Sequence, residues 1–531
     1  MNFTSLVVMA ACMVGPVDSW PAFLGQGATS VKPESIPLTW SPTENIAWTA
    51  KLPGKGQSSP VIWGNTAFVT SIEGSMKDKC HLVALSLVDG RELWRKTFDS
   101  PQTIRSNYFQ SRSAPTPVVD GDRVYAFFET GVLVACNHSG DIQWQRDLID
   151  EYGPIESNIG LASSPILVDG VLTLLVDHEG PSYILGVNPL TGENCWKTDR
   201  TSRASYASPS VVSIAGKNQI VCSSAGSVDG YAPKTGEQLW TYEQNVGGNR
   251  SGAALAFGDG MFTVGASPGM HNEKEEEAKN TNFLMKVELV DGKYTPKVLW
   301  KTDEAMPSFN SPMVHAGYAY WVNRVGVVYC FDQKTGEKCY TNRTNGVCWA
   351  TPVGLGDRIY VFGKDGKTTV IAAGPEYKVL AENQLWDPDK VGNDTLNRER
   401  SRRGGAGGGH AEHQPAAGGS GEATKPIADG TAEKPADAAA APADQPAGAA
   451  QEAKPAEAPA AGAGGESGRR GGGGGRPAMT DAEREANRAA GENRFADPVQ
   501  YGVAIVNGSL VIRSGEVVYC IRSGNTKTAA K

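Results

Sequence analysis

Eight side chains that stand ahead of a recurring phrase in this chain are the ones best placed to do chemistry. They are Gln57, Arg112, Asn158, Tyr206, Asn249, Arg250, Asn310 and Trp349. Together they offer amide donors and acceptors, two guanidinium groups and two aromatic faces. Such a set suits recognition of an anionic group, a peptide or a sugar. It assembles no nucleophile with a base, so no catalytic residue is assigned. The competing expectation is that these groups satisfy one another and bound water, as buried polar groups must.

The cysteines and carboxylates were weighed in the same way. Nine cysteines are present, with no Cys-x-x-Cys pair, which argues against a zinc ribbon or a thioredoxin-type site. Cys330 and Cys339 flank the turn "FDQKTGEK". If Asp332 and Glu337 close that hairpin, the two thiols face each other and could bridge in an oxidising compartment. The alternative is two free thiols packed in a sheet. Residues 387–398, "DPDKVGNDTLNR", begin like a calcium loop with Asp387, Asp389 and Gly392. Val391 and Arg398 then occupy ligand positions, so no metal site is expected.

The elements that must position these residues are visible as a repeat. "DGRELWRKT" at 89 has relatives at 139, 191 and 235, each with tryptophan four residues after a glycine. Ahead of these phrases lie segments such as "SSPVIWGNTAFVTS" at 58 and "SSPILVDGVLTLLVD" at 163, and eight such segments run from Ser58 to the C-terminal end. Each reads as a small-residue or proline start, a β-branched strand, a tight turn, and a second apolar strand. A third strand, a Thr-Gly or Asp-Gly turn and a fourth strand follow. Four antiparallel strands at this spacing describe a propeller blade. The fold class is therefore all-β, an eight-bladed propeller. The fourth strands carry Trp94, Trp144, Trp196, Trp240 and Trp300, with Tyr340 standing in for blade six and no aromatic in blade seven. A small residue six positions before the turn glycine (Ala84, Gly186, Gly230, Cys330, with Ala135 matching through a shorter turn) leaves room for the ring. These rings are expected to be structural, each bridging to the next blade. The eighth copy, 495–525, lacks a fourth strand, and the orphan "ENIAWTAKLPG" at 44–54, with Trp48, is expected to complete it.

Bulk properties narrow the setting. The net charge of −8 and pI near 5.6 argue against a dedicated nucleic-acid surface. Residues 1–19 hold a short apolar run that fits an export leader, with Cys12 as a possible lipid-anchor position. No other long apolar run is present, so no transmembrane span is expected in the mature chain. Residues 20–387 make up the closing strand and blades one to seven. Between blades seven and eight, 390–493 are rich in Gly, Ala and Pro and are expected to be disordered, with a short helix near "TDAEREANRAAGEN" capped by Thr480 and Glu483.

The "SSP" starts, the "TGE-x-x-W" phrase and the eight-fold count resemble the pyrroloquinoline-quinone-repeat (PQQ-like, BamB-like) β-propellers. Residues 20–64 look most like exported planctomycete-type members of that group. The resemblance covers 20–387 and 495–525. It implies an exported protein of the periplasm or cell envelope, acting without catalysis as a binding or scaffold platform in a BamB-like role in outer-membrane protein assembly. Its partners would be envelope proteins or a polymer or glycan. Two alternatives stay open: a PQQ-dependent quinoprotein oxidoreductase with calcium, and a carbohydrate- or polymer-binding module. The quinoproteins stack their cofactor on a disulfide between adjacent cysteines. This sequence has no Cys-Cys pair and no Cys-x-x-Cys-His haem motif, so no cofactor is expected. Fold alone does not fix chemistry.

Overall fold

The β-branched runs pair into eight antiparallel sheets. Seven are contiguous in sequence, at 61–99, 118–147, 166–200, 210–242, 256–301, 313–343 and 353–384. The eighth joins Gln500–Val506, Ser509–Ser514 and Val517–Thr526 to the N-terminal strand Glu44–Lys51, which pairs Glu44 with Thr526 and Trp48 with Cys520. The eight blades form a ring, the β-propeller expected. This computed structural model describes residues 18–27, 33–104, 112–157, 160–269, 272–344, 346–387, 500–506 and 508–526. The expected disorder over 390–493, the helix at 480–493 and the candidate anchor Cys12 lie outside the described residues. Tight hairpins close where the sequence supplies residues that tolerate positive φ: Asp169–Gly170, Ala215–Gly216 and Ala316–Gly317 are all left-handed.

The small-residue start has a specific task in five copies. Its hydroxyl accepts a backbone N–H from the preceding blade. Ser59 N donates to Thr116 Oγ1 (2.9 Å), Thr116 N to Ser164 Oγ (3.0 Å), and Ser164 N to Ser208 Oγ (2.9 Å). The chain of bonds resumes with Ala253 N to Ser311 Oγ (2.9 Å) and Ser311 N to Thr351 Oγ1 (3.0 Å). It breaks at blade five, where Ala253 has no hydroxyl. At blade eight, Gly502 lies so close to Ser59 that a Cβ would sit 2.2 Å from its Oγ. This belt of bonds links blades one to four and blades five to seven at their inner strands.

The tryptophans link blades further out. Each indole lies on the turn glycine of the next blade and donates its N–H to a carbonyl of that turn. Trp48 reaches Leu87 O (2.9 Å), Trp94 His138 O (2.8 Å), Trp144 Pro189 O (2.9 Å), Trp196 Pro233 O (2.9 Å) and Trp300 Gln333 O (2.9 Å). The matching glycines (90, 140, 192, 236 and 336) have positive φ, and a Cβ on any of them would lie 2.3–2.8 Å from the ring. Within a blade, Trp94 faces Ala84, Trp144 Ala135, Trp196 Gly186 and Trp240 Gly230, the small residues expected. Blade five differs, with Leu284 opposite Trp300. Trp240 also departs from the pattern. A Cβ on Gly292, in the turn of blade five, would meet nothing within 4 Å, so the ring does not lie on it, and the Trp240 Nε1 donates to Gln219 Oε1 within its own blade (2.7 Å).

One regularity escaped the sequence. In every blade a β-bulge removes the residue just before the aromatic position from the ladder: Leu93, Gln143, Cys195, Leu239, Leu299, Cys339, Leu380 and Ala47 are skipped. This changes the register at the expected Cys330–Cys339 site: Asp332 N does bond Glu337 O (2.8 Å), but the ladder partner of Cys330 is Tyr340 and Cys339 is the bulge residue, while the two thiols, both free, still interact with each other. In blade seven, Ala381 takes the aromatic position opposite Val370. Here the N-terminal segment supplies the missing bulk. Trp40, buried, donates its backbone N–H to Asn383 Oδ1 (2.8 Å), Asn383 Nδ2 donates to Leu38 O (3.1 Å), and Trp386 packs on Tyr519 of blade eight.

Candidate functional site

The channel has two unlike mouths. At the mouth ringed by the first hairpin turn of each blade, Ser19–Trp20 adds a fifth strand to the inner edge of blade one, pairing with Trp63 and Ile62. Asp18 O accepts from Gly64 N (3.1 Å), and Pro21 O accepts from Val119 N on the innermost strand of blade two (2.8 Å). Phe23–Gly27 follows as a 3-10 turn beside Gln500–Val506, the innermost strand of blade eight. Trp20 and Ala22 are buried. Residues 18–27 therefore bridge the inner strands of three blades at this mouth. Asp18 and Ser19, the last residues of the expected leader, belong to this segment, a partial plug over blades eight, one and two.

The opposite mouth is built from the loops that carry the outer strand of one blade to the inner strand of the next, and it holds the residues singled out in sequence. They divide into two groups. Three knit the loops together. Arg112 N donates to Gln57 Oε1 (2.9 Å), and Gln57 N donates to Arg112 O (3.0 Å). Asn249 is wholly buried, donates to Ser223 Oγ (3.1 Å) and Ser227 O (2.9 Å), and accepts from Gly226 N (3.1 Å). A fourth, Asn310, is buried, and neither of its amide atoms has a partner among the described residues. Asn158 lies outside the described residues.

The others present surface. Tyr206 is half-buried, its N–H donates to Arg250 O (2.6 Å), and burial, with Glu179 nearby, pushes its phenol up. Arg250 is exposed, and its guanidinium makes no bond among the described residues. Trp349 is half-buried against Phe309, with ring centroids 4.9 Å apart, and Lys364 Nζ lies 3.5 Å over its face. Phe309 is 40 % exposed. Phe309, Lys364 and the neighbouring Arg324 were not foreseen from sequence. The signal was available for Phe309: it stands two residues before Ser311, as Trp349 stands two before Thr351 and Tyr206 two before Ser208.

The family model described as outer membrane protein assembly factor BamB matches residues 38–180, 157–262 and 287–403, more than half of the chain. This chain belongs to the PQQ-repeat, BamB-like propeller family. No curated protein matches it significantly. Among solved structures it is similar to BamB from Moraxella catarrhalis, with 11 % identity, 91 % of this chain and 98 % of that chain covered, and a TM-score of 0.48. It is also similar to the designed protein Ika8 (13 %, 63 % and 89 %, TM-score 0.41) and to a europium-containing methanol dehydrogenase (12 %, 67 % and 89 %, TM-score 0.36).

Some PQQ-repeat propellers carry a quinone with a metal ion, so the fit of this mouth to that pair can be tested on its carboxylates. Glu129 is buried and held by Lys77 (3.2 Å) and by Ser113 N (2.7 and 2.9 Å). Asp177 and Asp229 are buried and shared by Arg200 (2.9 and 3.3 Å). Burial opposes the Arg200 charge, and Asp177 beside it more than restores it, so the guanidinium is held more firmly protonated than usual. These carboxylates are committed to protein cations, as buried charges require. Among the described residues no three His, Cys, Asp or Glu side chains converge as a metal site. The residues present do not fit a quinone–metal pair.

Proposed function

We propose that this family member is a non-catalytic binding platform of the cell envelope, exported by its N-terminal leader, and that its partners in outer-membrane protein assembly dock on the open mouth. The carrying observation is the asymmetry of the channel. One mouth is bridged by residues 18–27 across blades eight, one and two, while the other displays Phe309, Trp349, Tyr206 and Arg250 on loops locked by the belt and by buried ion pairs. A rigid ring presenting aromatic and guanidinium groups is the composition of a recognition surface. The matched family's description supports the assembly role.

The test is in-cell crosslinking in the native host, followed by fractionation and identification of the captured proteins. Recovery in the envelope, linked to proteins of outer-membrane assembly, supports the proposal. Recovery in the cytosol, or in the envelope without such links, refutes it. The Phe309–Trp349 pair also favours a second reading, a glycan-binding module, because stacked rings suit sugar faces. Retention on glycan columns that is lost in Trp349→Ala would establish it.

A further inference from the structure

We propose that the sector of the open mouth over blades four to seven recognises an acidic, aromatic-bearing stretch of a partner polypeptide. The inference rests on the platform reading above and names what the platform reads. Three cations stand on the loops and turns of this mouth from blade four to blade seven, in a chain whose net charge is −8. Arg250 is exposed next to Tyr206. Arg324, half-buried in the turn 323–326, has its backbone carbonyl bonded to Cys348 N (3.0 Å), which places it beside Trp349. Lys364 lies over the Trp349 face at 3.5 Å. Neither arginine side chain makes a hydrogen bond or ion pair among the described residues.

Two carboxylates lie in the same sector, Asp365, which accepts the Lys367 N–H (3.2 Å), and Glu179 near Tyr206, and neither bonds Arg250 or Arg324 among the described residues. A guanidinium that is half-buried and unpaired keeps its planar fork of donors for a carboxylate. Phe309, 40 % exposed and packed on Trp349, offers an apolar face on the same mouth. Charge and ring together select a ligand with alternating carboxylates and aromatic groups. A neutral glycan would use the rings and leave both guanidinium groups idle. A basic peptide would be repelled.

The experiment uses the full chain and four probes in fluorescence anisotropy. These are a labelled peptide of alternating Glu and Tyr, the same peptide with Lys for Glu, an oligogalacturonate and a neutral cello-oligosaccharide. The Glu–Tyr peptide is expected to bind, to weaken steeply with salt, and to lose about tenfold in affinity on Arg324→Gln and on Phe309→Ala, the scale of one charge-assisted bond or one hot-spot ring. Arg324→Lys should recover part of the loss, which a folding defect would not do. Equal binding of the Lys peptide, preference for either saccharide, or indifference to both substitutions overturns the inference. If crosslinking to envelope partners persists in Arg324→Gln and Phe309→Ala while the peptide result fails, the platform reading survives and this recognition rule does not.

Discussion

Replacing Gly236 with alanine should destabilise the ring far more than replacing Gly292. Both residues have positive φ, +71° and +78°, so each substitution costs about 1–2 kcal/mol for a side chain held in left-handed backbone. Around Gly292 there is nothing within 4 Å of a new Cβ. At Gly236 the Cβ would lie 2.3 Å from the Trp196 ring and 2.8 Å from Thr198 Oγ1. The indole must retreat, which adds about 1–3 kcal/mol of overpacking. Its bond to Pro233 O (2.9 Å) then lengthens or breaks, at about 1 kcal/mol. The expected losses are about 3–6 kcal/mol for Gly236→Ala and about 1–2 kcal/mol for Gly292→Ala. Urea unfolding followed by tryptophan fluorescence measures both, provided the slopes match. Equal losses for the two variants would refute the claim that the glycines serve as seats for the rings.

Three further outcomes follow from the same structure. Thr351→Val removes the acceptor of the buried Ser311 N–H and should cost about 1–3 kcal/mol in urea unfolding, whereas Thr351→Ser should be close to neutral; equal effects would deny the belt its role. Iodoacetamide should label exposed Cys195 in the native chain and spare Cys80, Cys136 and Cys520, whose thiols burial pushes up to about 11, until the protein is unfolded; peptide mapping reads the order. Deleting residues 1–51 removes the plug, the blade-seven brace and the closing strand together, and should replace one sharp calorimetric transition with broad, cooler melting; an unchanged transition would contradict closure through the N-terminal strand.

What could be read ahead of the structure was whatever repeats at fixed spacing. Gly90 with Trp94, and Ala84 opposite it, recur because one geometric problem recurs in each blade, so the blade count and the closing strand could be inferred. The bulge at Leu93, Cys195 or Cys339 could not, because counting residues does not reveal which of them drops out of the ladder. For that reason Cys330 and Cys339 read as facing residues. The mouth was partly legible. Position along the chain located Asn249 and Trp349 equally well. Only three-dimensional contacts distinguish an amide held by Ser223 and Ser227 from a ring standing beside exposed Phe309. Arg324 was invisible because it enters through a turn in the middle of its blade, away from the repeated leading motif.

The pairing of Glu44 with Thr526 also sets an order of events during biosynthesis. The strand Glu44–Lys51 is made long before its partners and must wait until the strands from Gln500 to Thr526 follow it. A nascent chain that has finished seven sheets still has two open flanks. A product cut short before residue 500 never acquires the three strands that Glu44–Lys51 needs. Ring closure thereby proofreads the molecule for completeness, and incomplete products retain the unpaired strand edge by which quality-control proteases and chaperones recognise unfinished protein.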